Sequence, residues 1–362
     1  MKNRRLKIAV GLSGGVDSSV AAILLKEEGH KVMGISMEIF DGSMPVNAPE
    51  RHTCYGPGEK KDIEIAASFC KDLGIPFYTL DLKNKFRDHV IKYFKREYLK
   101  GRTPNPCVVC NQQIKFGFLL EKARIAGVDF DLFATGHYAR IVKYNNRFLL
   151  KKAKDLSKDQ SYFLYTLTPE QLSRTIFPVG SHTKHEVRAI ARSLGLVNAE
   201  RPESQDFIAG CSYSLLFGHD SVKEGPITDE GGNILGRHKG IIHYTVGQRK
   251  GLGIASSKPL YVLRIDAKGN RIVVGEREML RSKGLVAADL NLIAVDRLDH
   301  PCKVTAKIRL KHKGATATVF PMAHGRIKLI FDKPQEAVTP GQSVVLFLND
   351  TVLGGGIIEY AL

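Results

Sequence analysis

Over the first 140 residues, apolar runs alternate with helix-period segments. Residues 6–12, LKIAVGL, are a short apolar run ending on glycine. SGGVDSS then opens a helical pattern from Val16 to Glu28, closed by Gly29. KVMGISMEIF (31–40) reads as a second strand. Ile63, Ala66, Cys70 and Leu73 fall on one face of a helix over 59–73, which Gly74 ends. IPFYTLDL (75–82) is a third strand, a helix is predicted near 111–126, and DLFATGHYAR (131–140) is a fourth strand. Apolar strands interleaved with helices predict an α/β domain, a Rossmann-like parallel sheet with helices on both faces. Ligands of such sheets sit beyond the carboxyl ends of the strands, where SGGVDSS and ATGHYAR both lie.

The period changes after about residue 204. Residues 225–255 are rich in glycine and turn signals, and later segments alternate at period two. In KVTAKIRLK, Val304, Ala306, Ile308 and Leu310 share one face, and Lys303, Thr305, Lys307, Arg309 and Lys311 the other. With ATATVF, RIKLIF, SVVLFL and VLGGGIIEY this predicts a C-terminal antiparallel β-barrel. The expected domains are 1–203, α/β and catalytic; 204–283, small, central and β-rich; and 284–362, the barrel.

Composition narrows the function classes. The chain has 362 residues, enough for more than one core, and at 43% hydrophobic and 25% charged it reads as an ordinary soluble protein. No apolar run approaches the length of a membrane span, and the basic start followed by LKIAVGL leads into a loop and helix rather than a cleavage site. A cytoplasmic location is expected. The net charge is +17, and residues 303–328 carry Lys303, Lys307, Arg309, Lys311, Lys313, Arg326 and Lys328 without an acid. That favours a polyanion partner over a merely solvated basic surface. The six cysteines, Cys54, Cys70, Cys107, Cys110, Cys211 and Cys302, read as free thiols, metal ligands or catalytic groups rather than a disulfide framework.

The most informative stretch is SGGVDSS. Ser13, Gly14 and Gly15 can turn backbone N–H groups toward a phosphate at a helix N-terminus. The lysine of a γ-phosphate-transfer loop is missing. Asp17 could face a Mg²⁺ held on the phosphates, with Ser13 and Ser18 donating to phosphate oxygens. The alternative is a plain strand-to-helix turn with Asp17 answering the helix dipole.

S-G-G-V-D-S-S resembles the loop of the ATP pyrophosphatases, which cleave ATP between the α and β phosphates and adenylate a substrate oxygen. GRTPNPCVVCNQQIKFGFLL, FATGHYARI, KDQSYFLYTL, RPESQDF, HYTVGQRKGLGI and VTPGQSVVLFLNDTVLGGGIIE extend the likeness from residue 11 to 359 and make it specific to the tRNA-specific 2-thiouridylases. The resemblance implies an ATP-dependent sulfurtransferase that replaces O2 of the wobble uridine of tRNA with sulfur. It implies ATP contacts at Ser13, Gly14, Gly15, Asp17 and Ser18, a backbone contact near adenine at Met37, and Gly136 near the nucleotide. Asn105 would meet the target base, and His137, Lys158, Asp159, Gln160, Arg309 and Gln342 would contact tRNA. Read as residues alone, His137 also fits a hydrogen-bonded histidine at a strand end, and Asp159 a cap on the helix that follows.

TPNPCVVCNQQIKF raises the question of sulfur. Asn111 reads as the N-cap of a helix, which would leave Cys110 at a helix N-terminus beside Lys115 with a depressed pKa. In the better-known branch of the family the first position of this motif is Asp, and a cysteine follows S-Q-[DE] by two residues. Cys107 stands in place of that Asp, and after SQD (204–206) the position holds Ile208, with Cys211 three residues on. This resembles the iron–sulfur-dependent relatives and implies Cys107, Cys110 and Cys211 as ligands of a [4Fe–4S] cluster that delivers sulfur, Cys54 being the runner-up third ligand. The alternative is a persulfide mechanism, with Cys110 the nucleophile and Cys211 the carrier. The sulfur would come from a donor protein such as a cysteine desulfurase, or from free sulfide. Cys70 and Cys302 are expected to pack structurally. Two rival functions are an adenylating thiolase for another tRNA position and a non-enzymatic RNA-binding or iron–sulfur sensor; the intact loop speaks against the second.

Overall fold

The computed structural model describes residues 5–42, 53–202, 206–208, 216–217 and 223–362. It divides into two compact units. One comprises residues 1–90, 107–212 and 350–352; the other comprises 91–106, 213–349 and 353–362.

In the first unit, β1 (Lys7–Gly11), β2 (Lys31–Glu38), β3 (Phe77–Asp81), β4 (Leu132–Thr135) and β5 (Thr175–Ile176) form a parallel sheet in the order β3–β2–β1–β4–β5. Ile8 pairs with Val32 on one side and Leu132 on the other, so Ile8, Ala9 and Val10 lie at the centre and are completely buried. That explains an apolar run with no alternation: both faces of β1 are covered. Helix α1 (Val16–Glu27) is apolar on two sides. Ala22, Ile23 and Leu25 pack against the sheet, and Val16, Val20 and Ala21 meet Val187 and Ala191 of α3 (Lys184–Ser193). Helix α2 (Glu59–Leu73) buries Ala66, Phe69 and Cys70 and ends on Gly74 in the left-handed conformation. Cys70 packs in the core as expected, and burial lifts its thiol to about 12.

Two expectations are corrected in this unit. Strand β4 stops at Thr135, and a separate strand runs over Ala139–Tyr144, because the chain turns at Gly136–His137. The helix foreseen near 111–126 starts at Pro106, and its middle, Cys110–Phe118, is π-helical before α-geometry resumes over Leu119–Ile125. Proline suits a first helical turn, where its missing N–H costs nothing.

In the second unit, β6 (Gly225–Thr228), β7 (Ile234–His238), β8 (Tyr261–Asp266) and β9 (Arg271–Gly275) form a four-stranded sheet in the order β7–β6–β9–β8. β10 (Arg281–Leu292), β11 (Cys302–Lys307), β12 (Ala315–Met322), β13 (Arg326–Glu336), β14 (Ser343–Leu348) and β15 (Thr351–Ala361) follow in the order β10–β13–β12–β11–β14–β15. The pairing of β15 with β10 closes a six-stranded antiparallel barrel, so neither strand is left as an open edge. Val304, Ala306, Ile308, Ala317, Val319, Leu329 and Leu346 fill it, and Cys302 packs against this core. Leu310, expected on the inner face, is exposed because β11 ends at Lys307 and the chain has already turned.

Candidate active site

The loop between β1 and α1 is wired from within. Gly14 has φ +70°, and a Cβ there would stand 2.6 Å from the Asp62 carbonyl oxygen, so glycine is required for both shape and space. Asn198 Nδ2 donates to Gly14 O at 3.0 Å and to Ser19 Oγ at 3.0 Å, and Arg201 Nη1 donates to Gly14 O at 3.2 Å. Arg201 is also ion-paired with Asp62. The Ser13 N–H donates to Ser18 Oγ at 3.3 Å, and Ser18 Oγ donates to Gly15 O at 3.0 Å. Gly15 is the N-cap of α1 without a side-chain cap, so the first N–H groups of the helix remain available to an anion. Met37 lies on β2, paired with Leu80.

Asp17 has a different environment from the one expected for a group facing Mg²⁺. Lys184 Nζ donates to both of its oxygens, at 2.7 and 2.8 Å, and Tyr138 Oη donates to Oδ1 at 2.8 Å. The Lys184 side chain is 10% exposed and that of Asp17 26%. Lys184 opens α3, whose start is fixed by a capping box between Thr183 and Glu186. The signal T-K-H-E is readable in the sequence; its destination at Asp17, 167 positions away, is not.

The turn after β4 links this loop to the cysteine helix. Gly136 presses on the loop, and a Cβ there would meet Asp17 C and Ser18 N at 2.6 Å. His137 Nδ1 and Thr135 Oγ1 are 2.7 Å apart, and the ring packs 6.0 Å from Phe116 and 5.9 Å from Phe177. Burial, with the nearby Lys115 charge, holds the imidazole well below its ordinary pKa, so it is neutral.

Cys107 and Cys110 stand inside the helix, three residues apart, not ahead of its N-terminus. The expected depression of Cys110 is therefore absent. Burial pushes its thiol up to about 11 against the pull of Lys115, and burial followed by Cys54 and Cys110 pushes Cys107 to about 12. Asn111 is not a cap: its Nδ2 donates to Phe163 O at 3.2 Å, and its buried Oδ1 has no hydrogen-bond partner. Lys115 sits one π turn after Cys110. In an α-helix residues five apart lie about 140° apart around the axis, whereas i→i+5 bonding stacks them; Leu119 N–H bonds Ile114 O in this way. Burial lowers the Lys115 ammonium, but Cys110, Cys54 and Cys107 outweigh it and hold the group above its ordinary value. Cys54 is exposed and within electrostatic reach of both motif cysteines. Cys211 lies outside the described residues.

The remaining expected tRNA contacts differ in availability. Asp159 is buried, accepting from Ala153 N–H at 3.1 Å, Ser161 N–H at 3.2 Å and Ser161 Oγ at 2.8 Å, but the N-cap of the helix Ser161–Leu164 is Gln160, so Asp159 is not its cap. Gln160 Oε1 accepts from Tyr138 N–H at 2.9 Å, and Lys158 is half-buried. In the second unit, Arg309 is exposed and donates to Glu336 O at 3.1 Å, Asn105 is buried, and Gln342 bonds the carbonyls of Thr103 and Pro104. On the barrel Lys303 pairs with Asp332 and Arg326 with Glu359, while Lys311, Lys313 and Lys328 are exposed. Sequence reasoning missed Lys184, Tyr138, Asn198 and Arg201, all of which act on the loop.

Comparison with known proteins agrees with this layout. Three family models cover the chain: a tRNA methyl transferase HUP domain over 6–209, a tRNA methyl transferase PRC-barrel domain over 214–276, and an aminomethyltransferase beta-barrel domain over 282–358. A tRNA-specific 2-thiouridylase of Acetivibrio thermocellus is 49% identical over 361 residues, covering 98% of this chain and 99% of the relative. One from Thermoanaerobacter pseudethanolicus is 48% identical, covering 98% of each. Among solved structures, NMN synthetase from Francisella tularensis matches at 14% identity and a TM-score of 0.31, over 56% of this chain and 68% of that one, too distant to argue from. With full-length likeness at this identity, and with the loop and paired cysteines in one unit, the chain belongs to the tRNA-specific 2-thiouridylase family.

Proposed function

We propose that this enzyme adenylates O2 of the wobble uridine of tRNA and replaces it with sulfur. A uracil oxygen does not leave at neutral pH. Once O2 has attacked the α-phosphorus of ATP and pyrophosphate has departed, a sulfur nucleophile can add to C2, and AMP leaves carrying the former O2. The observation that carries this reading is the Thr135–Gly136–His137 turn. It touches the SGGVDSS loop through Gly136 and the cysteine helix through His137, which supports a reading in which oxygen activation and sulfur transfer take place side by side in the first unit. Ser13, Gly14, Gly15 and Ser18 would cradle phosphates, with Met37 and Gly136 at the nucleotide. Asp17, released from Lys184, could serve a Mg²⁺, and Lys184 would then lie where it can neutralise phosphate. Asn105 is proposed to meet the target base, and His137, Lys158, Asp159, Gln160 and Arg309 to contact tRNA; Gln342 bonds the strap that carries Asn105.

Cys110 is the proposed sulfur-transferring residue. In the persulfide form Cys211 carries the sulfur and Cys107 is a bystander. The [4Fe–4S] form, with Cys107, Cys110 and Cys211 as ligands and Cys54 as runner-up, rests on Cys107 standing where the better-known branch has Asp. Yet no group of three His, Cys, Asp or Glu among the described residues is arranged to hold a metal ion. The described thiols alone thus do not fit a three-ligand cluster, and no step is routed through one. A cytoplasmic setting suits a tRNA substrate, and no helix among the described residues is long and apolar enough to cross a membrane. Mass spectrometry of tRNA incubated with ATP and sulfide or a desulfurase tests the reaction. Sulfur at C2 of the wobble uridine is expected, and sulfur at any other position refutes the proposal. Iron and acid-labile sulfide in anaerobically purified wild type, Cys54→Ala and Cys211→Ala decide the delivery route.

A further inference from the structure

In the second unit the segment Gly101–Pro106, which carries Asn105 and leads into Cys107, lies across the barrel turn that precedes β14. The Thr103 N–H donates to Pro340 O at 2.9 Å, and Gln342 Nε2 donates to Thr103 O at 3.1 Å and Pro104 O at 3.2 Å. The turn is itself pinned. Gln342 N–H bonds Thr339 O at 3.2 Å, Ile358 N–H bonds Gln342 O at 2.8 Å, and Gly341 N–H bonds Ile358 O at 2.9 Å. Contact is close enough that a Cβ on Gly341 would stand 2.9 Å from Thr103 N and O. The other end of the strap is tied by Arg102, whose Nε lies 3.0 Å from the buried Glu97 carboxylate and whose Nη2 donates to Ile358 O at 3.3 Å. Thr103 and Asn105 each precede a proline, which confines both to extended backbone. Two fixed carbonyls therefore set where Asn105 goes. Both donor hydrogens of the Gln342 amide are spent on the strap.

We infer that Gln342 is a positioning residue that holds the Thr103–Asn105 strap for the target base, rather than chiefly a ligand of tRNA. The inference rests on the thiolation reading above. Two variants test it: Gln342→Glu keeps an acceptor but turns a carboxylate toward two carbonyls, and Gln342→Met keeps the length without polar atoms. In both, kcat at saturating tRNA should fall about 10- to 100-fold, the cost of misplacing a site by about an ångström, while the tRNA Kd stays within about twofold of wild type. Hydrogen exchange of the peptide spanning 101–108, measured on the free folded protein, should speed up in both variants. Unchanged exchange overturns the inference. So does a Kd weakened about tenfold or more with kcat at saturation preserved, the signature of a direct RNA ligand. The exchange comparison needs no turnover, so it stands even if wild type proves inactive on tRNA, an outcome that would defeat only the thiolation reading.

Discussion

The serine–glycine loop and the cysteine helix face opposite electrostatic problems within one unit. The loop is polar, capped by backbone N–H groups, and held in shape by Asn198 and Arg201. It is ready for an anion before one arrives. The cysteine helix buries Cys110 and half-buries Cys107, which raises both thiols and keeps them protonated at neutral pH. One half of the site is preorganised for charge and the other withholds it. On the proposed reading, in which Cys110 transfers sulfur and the loop holds phosphate, the loop is ready as it stands, whereas Cys110 has first to lose a proton that burial helps it keep.

The sharpest way to break this comparison is Cys110→Ser. Thiolation should drop by at least about a thousandfold, as for loss of a nucleophile, and far more than tRNA-dependent pyrophosphate release. Equal losses in the two assays would mean that the helix and the loop do not act separately. Gly136→Ala attacks the other half. Its Cβ would collide with Asp17 and Ser18 backbone, so pyrophosphate release should fall about 100-fold, read by single-turnover kinetics. Lys184→Met leaves a half-buried Asp17 without its cation and should cost about 1–3 kcal/mol in urea unfolding; a smaller loss in the double variant with Asp17→Asn would show the cost belongs to the pair.

Two smaller effects concern protons. Iodoacetamide labelling of Cys110 should keep rising with pH well past about 8.5, the ordinary thiol value, because burial holds the group near 11. Lys115→Met should slow that labelling several-fold at a given pH, with Lys115→Arg restoring much of it. His137 remains neutral in the folded protein, while the unfolded chain takes up a proton there below about pH 6.5. Stability should therefore fall as pH drops through that value toward the lower folded one. Urea midpoints of His137→Gln should lose less over the same interval.

Elements whose physics is local were legible in the chain. The face Ala66–Cys70 and the stop at Gly74 define α2, and Val304, Ala306 and Ile308 alternate into the barrel as their period demands. Failures came where a distant partner decides. Leu310 continues the alternation but not the strand, and FATGHYAR reads as one strand although Gly136 must turn against α1. The site divided in the same way. SGGVDSS announced itself, whereas Lys184 became visible only at Asp17. The cysteine helix was misread at its start because Pro106, taken as part of a loop, is a first helical residue, and this reversed the expected direction of the Cys110 shift.

The π turn at Cys110–Phe118 has a consequence for chain length. A helix that closes its rings over five residues carries, in effect, one residue more than an α-helix of the same span. Removing Gly117 would let the segment relax to α-geometry and keep everything after it in register, while Lys115, still five positions from Cys110, would lie about 140° from it around the axis. Lys115 would swing away from the sulfur although no catalytic side chain had been altered. For this stretch the number of residues is as much a part of the chemistry as their identity.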